Sequence, residues 1–184
     1  MANSNAPSGL KPVRHLAGGS TARADAFVGG IVSAMAQSIY RGDPVTLLST
    51  GKIQPAAAGD VIYGVFWGVQ YNDSTGKPTW SNYWPASTTA TKIVAYVYRD
   101  PNLVFEVQCN SNFTVAHIGE NCDIAYTSGT GIGYSRVQAV SSFDSSTRQL
   151  RVLDLVRRAD NVEGTNAKIE VMINEHHLNS AVGV

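Results

Sequence analysis

Two Gly-Asp steps, each followed by a short apolar run, constrain the fold of this chain more than any other feature. Gly42-Asp43 precedes the run Val45 to Leu48, and Gly59-Asp60 precedes the run Val61 to Val69. Glycine adopts the positive φ angles that many turns require, and an aspartate carboxylate accepts hydrogen bonds from nearby backbone amides. We therefore expect a compact β-meander over residues 41–69, with a tight turn before each run.

The other residues of this stretch fit the same prediction. Ser49 to Lys52 is a turn signal that leads to a further strand at Ile53. Pro44 lacks a backbone donor and suits the first residue of a strand. Strict alternation divides the second run between two faces. One face would carry Val61, Tyr63, Val65, Trp67 and Val69, and the other Ile62, Gly64, Phe66, Gly68 and Gln70. The glycines of the second face would leave room for a neighbouring backbone.

The composition excludes several classes of protein and favours one fold class. The 184 residues suffice for one domain with a sizeable core. Basic and acidic residues balance at 14 each, whereas a nucleic-acid-binding protein usually has a net basic surface. Seventeen glycines and many short apolar runs favour an all-β protein. No apolar run approaches the ~20 residues that span a bilayer, and the N-terminus has no pattern typical of a secretory signal.

Cys109 and Cys122 are the only cysteines in the chain. A disulfide between them is one interpretation. Because nothing in the sequence indicates export to an oxidising compartment, we expect two free thiols packed in the core.

Residues 1–24 have the composition of an extended N-terminal arm. Residues 1–9 are small and polar, and they bury too little apolar surface to be ordered in the free protein. The next segment is more apolar, and Pro12 biases it to an extended path. The candidate partner-binding residues are Leu10, Pro12, Val13, Arg14 and Leu16. A frayed terminus and an arm that lies along a partner are both consistent with this composition.

Residues 25–184 are predicted to form a single β-rich domain, barrel-like and related to a β-tulip or similar meander. Its first segment, Ala26 to Tyr40, is predicted to be a strand that ends at Tyr40, although a helix is the alternative. A long polar loop is expected at residues 71–90. Its aromatic residues are candidates for contact with a partner or for packing back onto the body, and they are Trp80, Tyr83 and Trp84.

The second half of the chain carries the clearest strand signals. Lys92 to Tyr98 and Leu103 to Cys109 alternate around an Asp-Pro-Asn turn, which predicts a hairpin. Thr114 to Gly119 predicts one helical turn with Thr114 as its N-cap. Further strands are predicted at Asp123 to Thr127, Arg136 to Val140, Gln149 to Arg157 and Lys168 to Asn174.

Motifs that carry chemistry are not evident in the sequence. The two Gly-Lys steps lack the remaining residues of a phosphate-binding loop. The triplet Arg41-Gly42-Asp43 matches an adhesion motif, but these residues already form part of a predicted turn. Glu175-His176-His177 is the densest polar cluster, but adjacent histidines on a strand point to opposite faces and would not share one metal ion. We predict no enzyme activity, no catalytic residues, no cofactor and no metal site.

Three segments together resemble a family of tailed-phage virion structural proteins. They are RHLAGG in the arm, the GDPV and GDVIYGVF pair, and the closing LRVLDLVRRADNVEGTNAKIEVMINEHHL. The paired Gly-Asp arrangement is similar to that of phage capsid cement, or decoration, proteins. The β-rich bodies of those proteins lie on the outside of the shell and tie capsomers together. The resemblance covers nearly the whole chain and implies no catalytic residues.

The resemblance implies a cement protein on the outer surface of the head, assembled in the cytoplasm of a bacterial host. The implied partners are the major capsid protein and further copies of this chain, as a dimer or trimer, with no nucleic acid and no membrane. One alternative is another virion role, such as a head-fibre base or a head–tail component. A second alternative is a glycan-binding β module that uses the loop aromatics.

Overall fold

The computed structural model describes residues 3–19, 22–127, 129, 133–140 and 142–179. The protein is all-β, as predicted, and the described residues contain no α-helix. The strands are β1 (Lys11–His15), β2 (Asp25–Phe27), β3 (Ile39–Tyr40), β4 (Pro44–Leu47), β5 (Ile53–Pro55), β6 (Gly64–Asn72), β7 (Pro78–Ser81), β8 (Tyr83–Trp84), β9 (Thr91–Tyr98), β10 (Leu103–Gln108), β11 (Asn112–Phe113), β12 (Asn121–Cys122), β13 (Ile124–Ala125), β14 (Gln138–Ala139), β15 (Leu150–Leu155), β16 (Gly164–Thr165) and β17 (Lys168–Ile173).

Two antiparallel sheets make up most of the molecule. The five-stranded sheet has the order β1-β10-β17-β15-β12, and the six-stranded sheet has the order β2-β9-β6-β4-β5 with β7 added beside β6. Three short ribbons, β3-β8, β11-β16 and β13-β14, complete the fold. The strands of the described residues do not close into a barrel.

Each large sheet packs against its own hydrophobic cluster. The first cluster lies mainly against the five-stranded sheet and includes Phe105 and Phe113, which are fully buried. The second lies against the six-stranded sheet and includes Phe66 and Trp84, also fully buried. Fully burying such a side chain stabilises the fold by about 1.5–3 kcal/mol or more. The two clusters therefore supply most of the driving force for folding.

Both predicted Gly-Asp turns are confirmed. Gly42 has φ of 94° and Gly59 has φ of 84°. Each following aspartate accepts a bond from the backbone amide three residues earlier. The Tyr40 amide donates to Asp43 Oδ2 at 2.8 Å, and the Ala57 amide donates to Asp60 Oδ2 at 2.8 Å. β4 then begins at the proline and pairs with β5 across the predicted turn.

The predicted division of β6 between two faces is only partly correct. Val65 packs in the first cluster, but Phe66 and Val69 both pack in the second. The pairing of β6 with β9 slips at Trp67, where a β-bulge inserts one extra residue. Beyond the bulge the faces exchange. Gly64 was expected to leave room for a backbone, and a side chain there would indeed collide with the carbonyl oxygen of Tyr98.

The predicted hairpin between residues 92–98 and 103–109 is wrong, although both strands form. β9 pairs with β2 and β6, whereas β10 pairs with β1 and β17 in the other sheet. The turn itself is present, because the Leu103 amide donates to the Asp100 carbonyl at 3.2 Å. The chain uses this turn to cross from one sheet to the other.

Other local predictions have mixed outcomes. Residues 26–40 form β2 and β3 separated by turns, and neither the single strand nor the helix is present. The helical turn is confirmed as a 3-10 helix, Val115–His117, with Thr114 at its N-cap. Strands β13, β14, β15 and β17 lie within the four segments predicted after it. Cys109 and Cys122 are free and buried, as predicted.

The N-terminal segment is not a free arm over its described residues. β1 is part of the five-stranded sheet, and Leu10 is only 1% exposed. The Leu10 amide donates to the Gly42 carbonyl at 2.9 Å. The segment therefore contributes to the core of the body.

The polar residues before Leu10, predicted to be mobile in the free protein, form hydrogen bonds with side-chain amides. Asn3 Nδ2 donates to the Val162 carbonyl at 2.8 Å, and Gln108 Nε2 donates to the Ser4 carbonyl at 2.7 Å. These bonds replace the apolar burial that the segment lacks. Residues 1, 2, 20 and 21 of the predicted arm and 180–184 of the predicted domain lie outside the described residues.

Candidate functional site

The open edge of the five-stranded sheet is formed by β1, which pairs only with β10 among the described strands. Val13 is an extra residue between Pro12 and Arg14, since both of these pair with consecutive residues of β10. This β-bulge and the missing N–H of Pro12 hinder the addition of another strand. The side chains of Val13 and Leu16 are 40% and 48% exposed. The edge therefore presents apolar side chains more readily than backbone groups.

The residues predicted to bind a capsid do not all lie at this edge. Leu10 is buried in the core of its own chain, so its side chain has little exposed surface for a partner to contact. Arg14 Nη2 donates to Glu170 Oε2 at 2.7 Å and already has an acidic partner. Pro12 is partly buried within β1. Val13 and Leu16 are the members of the predicted set whose apolar side chains are exposed.

Residues 71–90, predicted as one long loop, contain the end of β6 and the short strands β7 and β8, joined by turns and irregular segments. β7 folds back on β6, and β8 pairs with β3. Trp84 is fully buried and packs against Tyr71 with ring centroids 5.2 Å apart. Tyr83 stacks on Tyr40 at 5.9 Å. These two residues pack onto the body, which was one of the two interpretations of the loop.

Trp80 has a different environment from the other two aromatics. It is 49% exposed and contacts Trp67 and Tyr96, with ring centroids 5.1 and 5.0 Å away. Its ring lies over Gly68, where a Cβ would approach Trp80 Cζ2 to 2.8 Å. An exposed group of aromatic rings is typical of a surface that binds a partner or ligand. We call Trp67, Trp80 and Tyr96 the aromatic cluster.

A cavity of about 490 Å³ lies beside this cluster. Its polar lining includes Lys11, Arg41, Tyr98 and Tyr134. Arg41 connects the two features, because its guanidinium carbon lies 5.5 Å from the centroid of the Trp67 ring. Burial raises the pKa of the Tyr98 hydroxyl, and the nearby charge of Arg41 opposes that rise. The cavity and the aromatic cluster thus share one cation.

The cations at this cavity have no carboxylate partner among the described residues. Most other arginines are paired within the chain. For example, Arg148 donates to Asp123 and Asp144 at 2.6 Å, and Arg99 donates to Asp25 at 2.9 Å. Both Lys11 and Arg41 are exposed at the mouth of the cavity. The cavity therefore carries a local positive charge in a protein whose formal net charge is zero.

Asp43 lies next to this site but is fully buried. Burial raises the pKa of its carboxyl from 3.8 to about 6, and hydrogen bonds with the Ser135 side chain and from the Tyr40 amide oppose that rise. Asp43 stabilises the turn that presents Arg41 when it is protonated, and it costs free energy when it is ionised.

The Glu175-His176-His177 cluster does not form a ligand set. His176 is 1% exposed, and burial lowers the pKa of its imidazole from 6.5 to about 4. His177 points elsewhere, with Nε2 lying 3.4 Å from Thr46 Oγ1. The described residues hold no group of three side chains suited to a metal ion. They also form no helix long and apolar enough to cross a membrane.

Sequence reasoning missed most of the residues at the cavity. Arg41 was interpreted as part of a turn, and Trp67 was placed on a regular strand face. A signal did exist, because Tyr96 and Tyr98 alternate with small apolar residues along β9 and so share one face. The contacts of Trp67 and Tyr96 with Trp80 depend on the β6–β7 pairing, which was not predicted from the sequence.

Comparisons with known proteins identify no relative. No family model, no curated protein and no solved structure matches this chain.

Proposed function

We propose that this protein is a phage capsid cement protein that binds the outside of the head and stabilises the contacts between capsomers. The observation that carries the proposal is the open edge at β1, where Val13 in the strand and Leu16 in the turn after it expose apolar side chains. The resemblance of the sequence segments to virion proteins supports the same class. A stiff all-β body suits a protein that must hold neighbouring capsomers at a fixed spacing.

The distribution of charge also favours a position outside the head. Basic and acidic residues are equal in number, and five arginines are paired with acidic residues of the same chain. A surface of this kind has little attraction for DNA phosphates. It suits the exterior of a shell better than an interior that faces packaged DNA.

Attachment through two apolar side chains would be weak for a single copy. Fully burying a Val or Leu side chain contributes about 1.5–3 kcal/mol, which is less than the cost of association for most complexes. Repetition on a symmetric lattice offsets this weakness through avidity. A dimer or trimer centred on a local symmetry axis of the shell would engage several edges at once.

The test is co-sedimentation with shells that lack the cement protein, assembled from the major capsid protein encoded in the same genome. The unaltered protein should pellet with the shells. A Val13→Asp/Leu16→Asp variant should lose roughly tenfold or more in affinity, because burying two carboxylates is costly. Val28→Asp is the matched control, since Val28 is 83% exposed but lies after β2 in the other sheet.

Two results would contradict the proposal. One is that the unaltered protein stays in the supernatant. The other is that the edge variant pellets as well as the Val28→Asp control while both remain folded.

A further inference from the structure

The aromatic cluster and the β9 side of the cavity at Arg41 lie on one face of the six-stranded sheet, and β1 of the five-stranded sheet contributes another part of the cavity lining. Tyr96 contacts Trp80, and Tyr98 lines the cavity. These two tyrosines are two positions apart on β9, and alternate residues of a strand share a face. The neighbours Val97 and Ala95 point the other way and are fully buried in the second hydrophobic cluster. An extended ligand could therefore lie across both features at once.

We propose that this face binds an acidic carbohydrate, whose carboxylate lies at Arg41 and whose sugar ring stacks on Trp80. The proposal does not depend on the capsid function, because it concerns a different class of ligand. The cavity shares Lys11 and Pro12 with β1, but Val13 and Leu16, on which the capsid proposal depends, are not among its lining residues.

Arg41 provides the charge complementarity. Its guanidinium has no carboxylate partner in the part of the chain that the structure describes. Lys11 also lines the cavity, but it lies opposite Glu106 in the β1–β10 pairing. An arginine fork binds a carboxylate through two parallel hydrogen bonds, which are about twice as strong as neutral ones. The ring of Trp67 holds the Arg41 side chain through a cation–π contact of 5.5 Å. The guanidinium is therefore positioned before a ligand arrives.

The aromatic cluster provides a surface for the sugar ring itself. One face of a pyranose ring carries C–H groups with partial positive charge, and the face of an indole is partially negative. Trp80 is 49% exposed and is buttressed from two sides by Trp67 and Tyr96. Gln70 is exposed beside it and lies 3.4 Å from the Tyr96 hydroxyl. The amide and the tyrosine hydroxyls are suited to bond sugar hydroxyl groups.

The size of the cavity favours a carbohydrate over an acidic segment of a protein. Its volume of about 490 Å³ lies within the ~300–1,000 Å³ that is typical of small-ligand sites. A protein interface usually buries ~800 Å² on each partner and has a broad apolar centre. Here the apolar rings lie to one side of a small charged cavity, which matches a short chain of acidic sugars.

The test uses the isolated full-length protein and the trimer of galacturonic acid, with its methyl ester as an uncharged match. Quenching of tryptophan fluorescence and isothermal titration calorimetry both report binding. The acid trimer should bind saturably, and the ester should bind at least about tenfold more weakly, since it lacks the charge-assisted pair. Added salt should weaken binding of the acid form.

Variants of exposed residues locate the site without disturbing the fold. Arg41→Gln and Trp80→Ala should each lower the affinity for the acid trimer by roughly tenfold or more. Trp80→Tyr should retain most of the binding, because it keeps an aromatic face. Arg157→Gln is the matched control, since its side chain is 74% exposed and lies just after β15 in the other sheet.

Absence of saturable binding by the acid trimer would overturn the proposal. Equal binding of the acid and its ester, or unchanged binding by Arg41→Gln, would overturn it as well. Should Arg41→Gln and Trp80→Ala instead reduce binding to capsid shells while no sugar binds, the face would belong to a protein partner and the proposal would be wrong.

Discussion

Phe66 and Val69 lie on the same side of β6, although they are three positions apart and a regular strand would place them on opposite faces. Trp67 and Gly68 together oppose the single residue Tyr96, which defines a β-bulge. The bulge keeps two apolar side chains in the second core cluster and turns Trp67 outward. It thereby creates the aromatic cluster on the other face.

Gly68→Ala tests this arrangement. A Cβ at residue 68 would lie 2.8 Å from Trp80 Cζ2 and 3.1 Å from the Ser81 carbonyl oxygen. We expect the Trp80 ring to be displaced, with a weaker near-ultraviolet circular dichroism signal and a loss of about 1–3 kcal/mol in unfolding free energy. Gln70→Ala, on the same face but exposed, should change stability by less than about 0.5 kcal/mol. An unchanged near-ultraviolet spectrum for Gly68→Ala would contradict the packing described here.

Features that depend on residues adjacent in the chain were predictable from the sequence, whereas features that depend on strand pairing were not. The turns at Gly42 and Gly59 depend on residues adjacent in the chain, so they were predicted correctly. The bulge at Trp67 depends on how β6 pairs with β9, which local alternation does not encode. The predicted hairpin at Asp100 was wrong for the same reason. The turn chemistry of Asp-Pro-Asn is the same whether the two flanking strands pair with each other or join different sheets.

Leu10→Ala should destabilise the protein strongly, in contrast to Leu16→Ala. Leu10 is 1% exposed and Leu16 is 48% exposed. Truncating a fully buried leucine costs about 2–5 kcal/mol through lost transfer energy and the cavity left behind. The exposed leucine should cost less than about 0.5 kcal/mol. Urea unfolding of both variants is the measurement, and equal stabilities would mean that the N-terminal segment is not part of the core in solution.

Trp84→Ala and Trp80→Ala should separate the two roles of the aromatic residues in strands β7 and β8. Trp84 is fully buried, so its truncation should cost about 3–5 kcal/mol. Trp80 is half exposed, so we expect its loss to reduce stability by about 1 kcal/mol or less. Thermal unfolding of both variants measures the difference. A larger loss for Trp80→Ala than for Trp84→Ala would contradict the burial of these residues.

Asp43→Asn should change how stability depends on pH. The pKa of Asp43 rises from 3.8 to about 6 in the folded state, so the folded protein binds more protons than the unfolded chain between these values. The associated stability is fully present below pH 3.8 and is lost as the pH rises through about 6. By linkage the loss amounts to about 3 kcal/mol. Relative to the unaltered protein, Asp43→Asn should therefore become more stable between pH 4 and pH 7.

The pH dependence must be measured as the difference in stability between the variant and the unaltered protein, because the pKa shift of His176 changes stability in the opposite direction. Its pKa falls from 6.5 to about 4 in the folded state, so its stability is present above pH 6.5 and is lost as the pH falls through about 4. Asp60→Asn is the matched control, since Asp60 makes the same backbone bond but is partly exposed. If the difference in stability between Asp43→Asn and the unaltered protein is constant from pH 4 to pH 7, the burial of an ionisable Asp43 does not contribute to the pH dependence of stability.

The candidate site could be predicted only in part, for a physical reason. Val13 and Leu16 were identified because an apolar residue in a short polar segment is visible in the sequence. Leu10 has the same sequence signal but is buried, and only the docking of β1 on β10 separates it from the other two. Arg41 and Trp80 are 39 positions apart in the sequence. Strand pairing brings them to one site, and this pairing cannot be predicted from composition.

Cryo-electron microscopy of shells decorated with this protein is the sharpest test of attachment through β1. We expect ordered density for the protein on the outer surface, with β1 facing the shell. Val13 and Leu16 should lie within about 4–4.5 Å of capsid side chains. Shells without added density, or density in which β12 faces the shell and β1 faces solvent, would show that β1 is not the attachment edge.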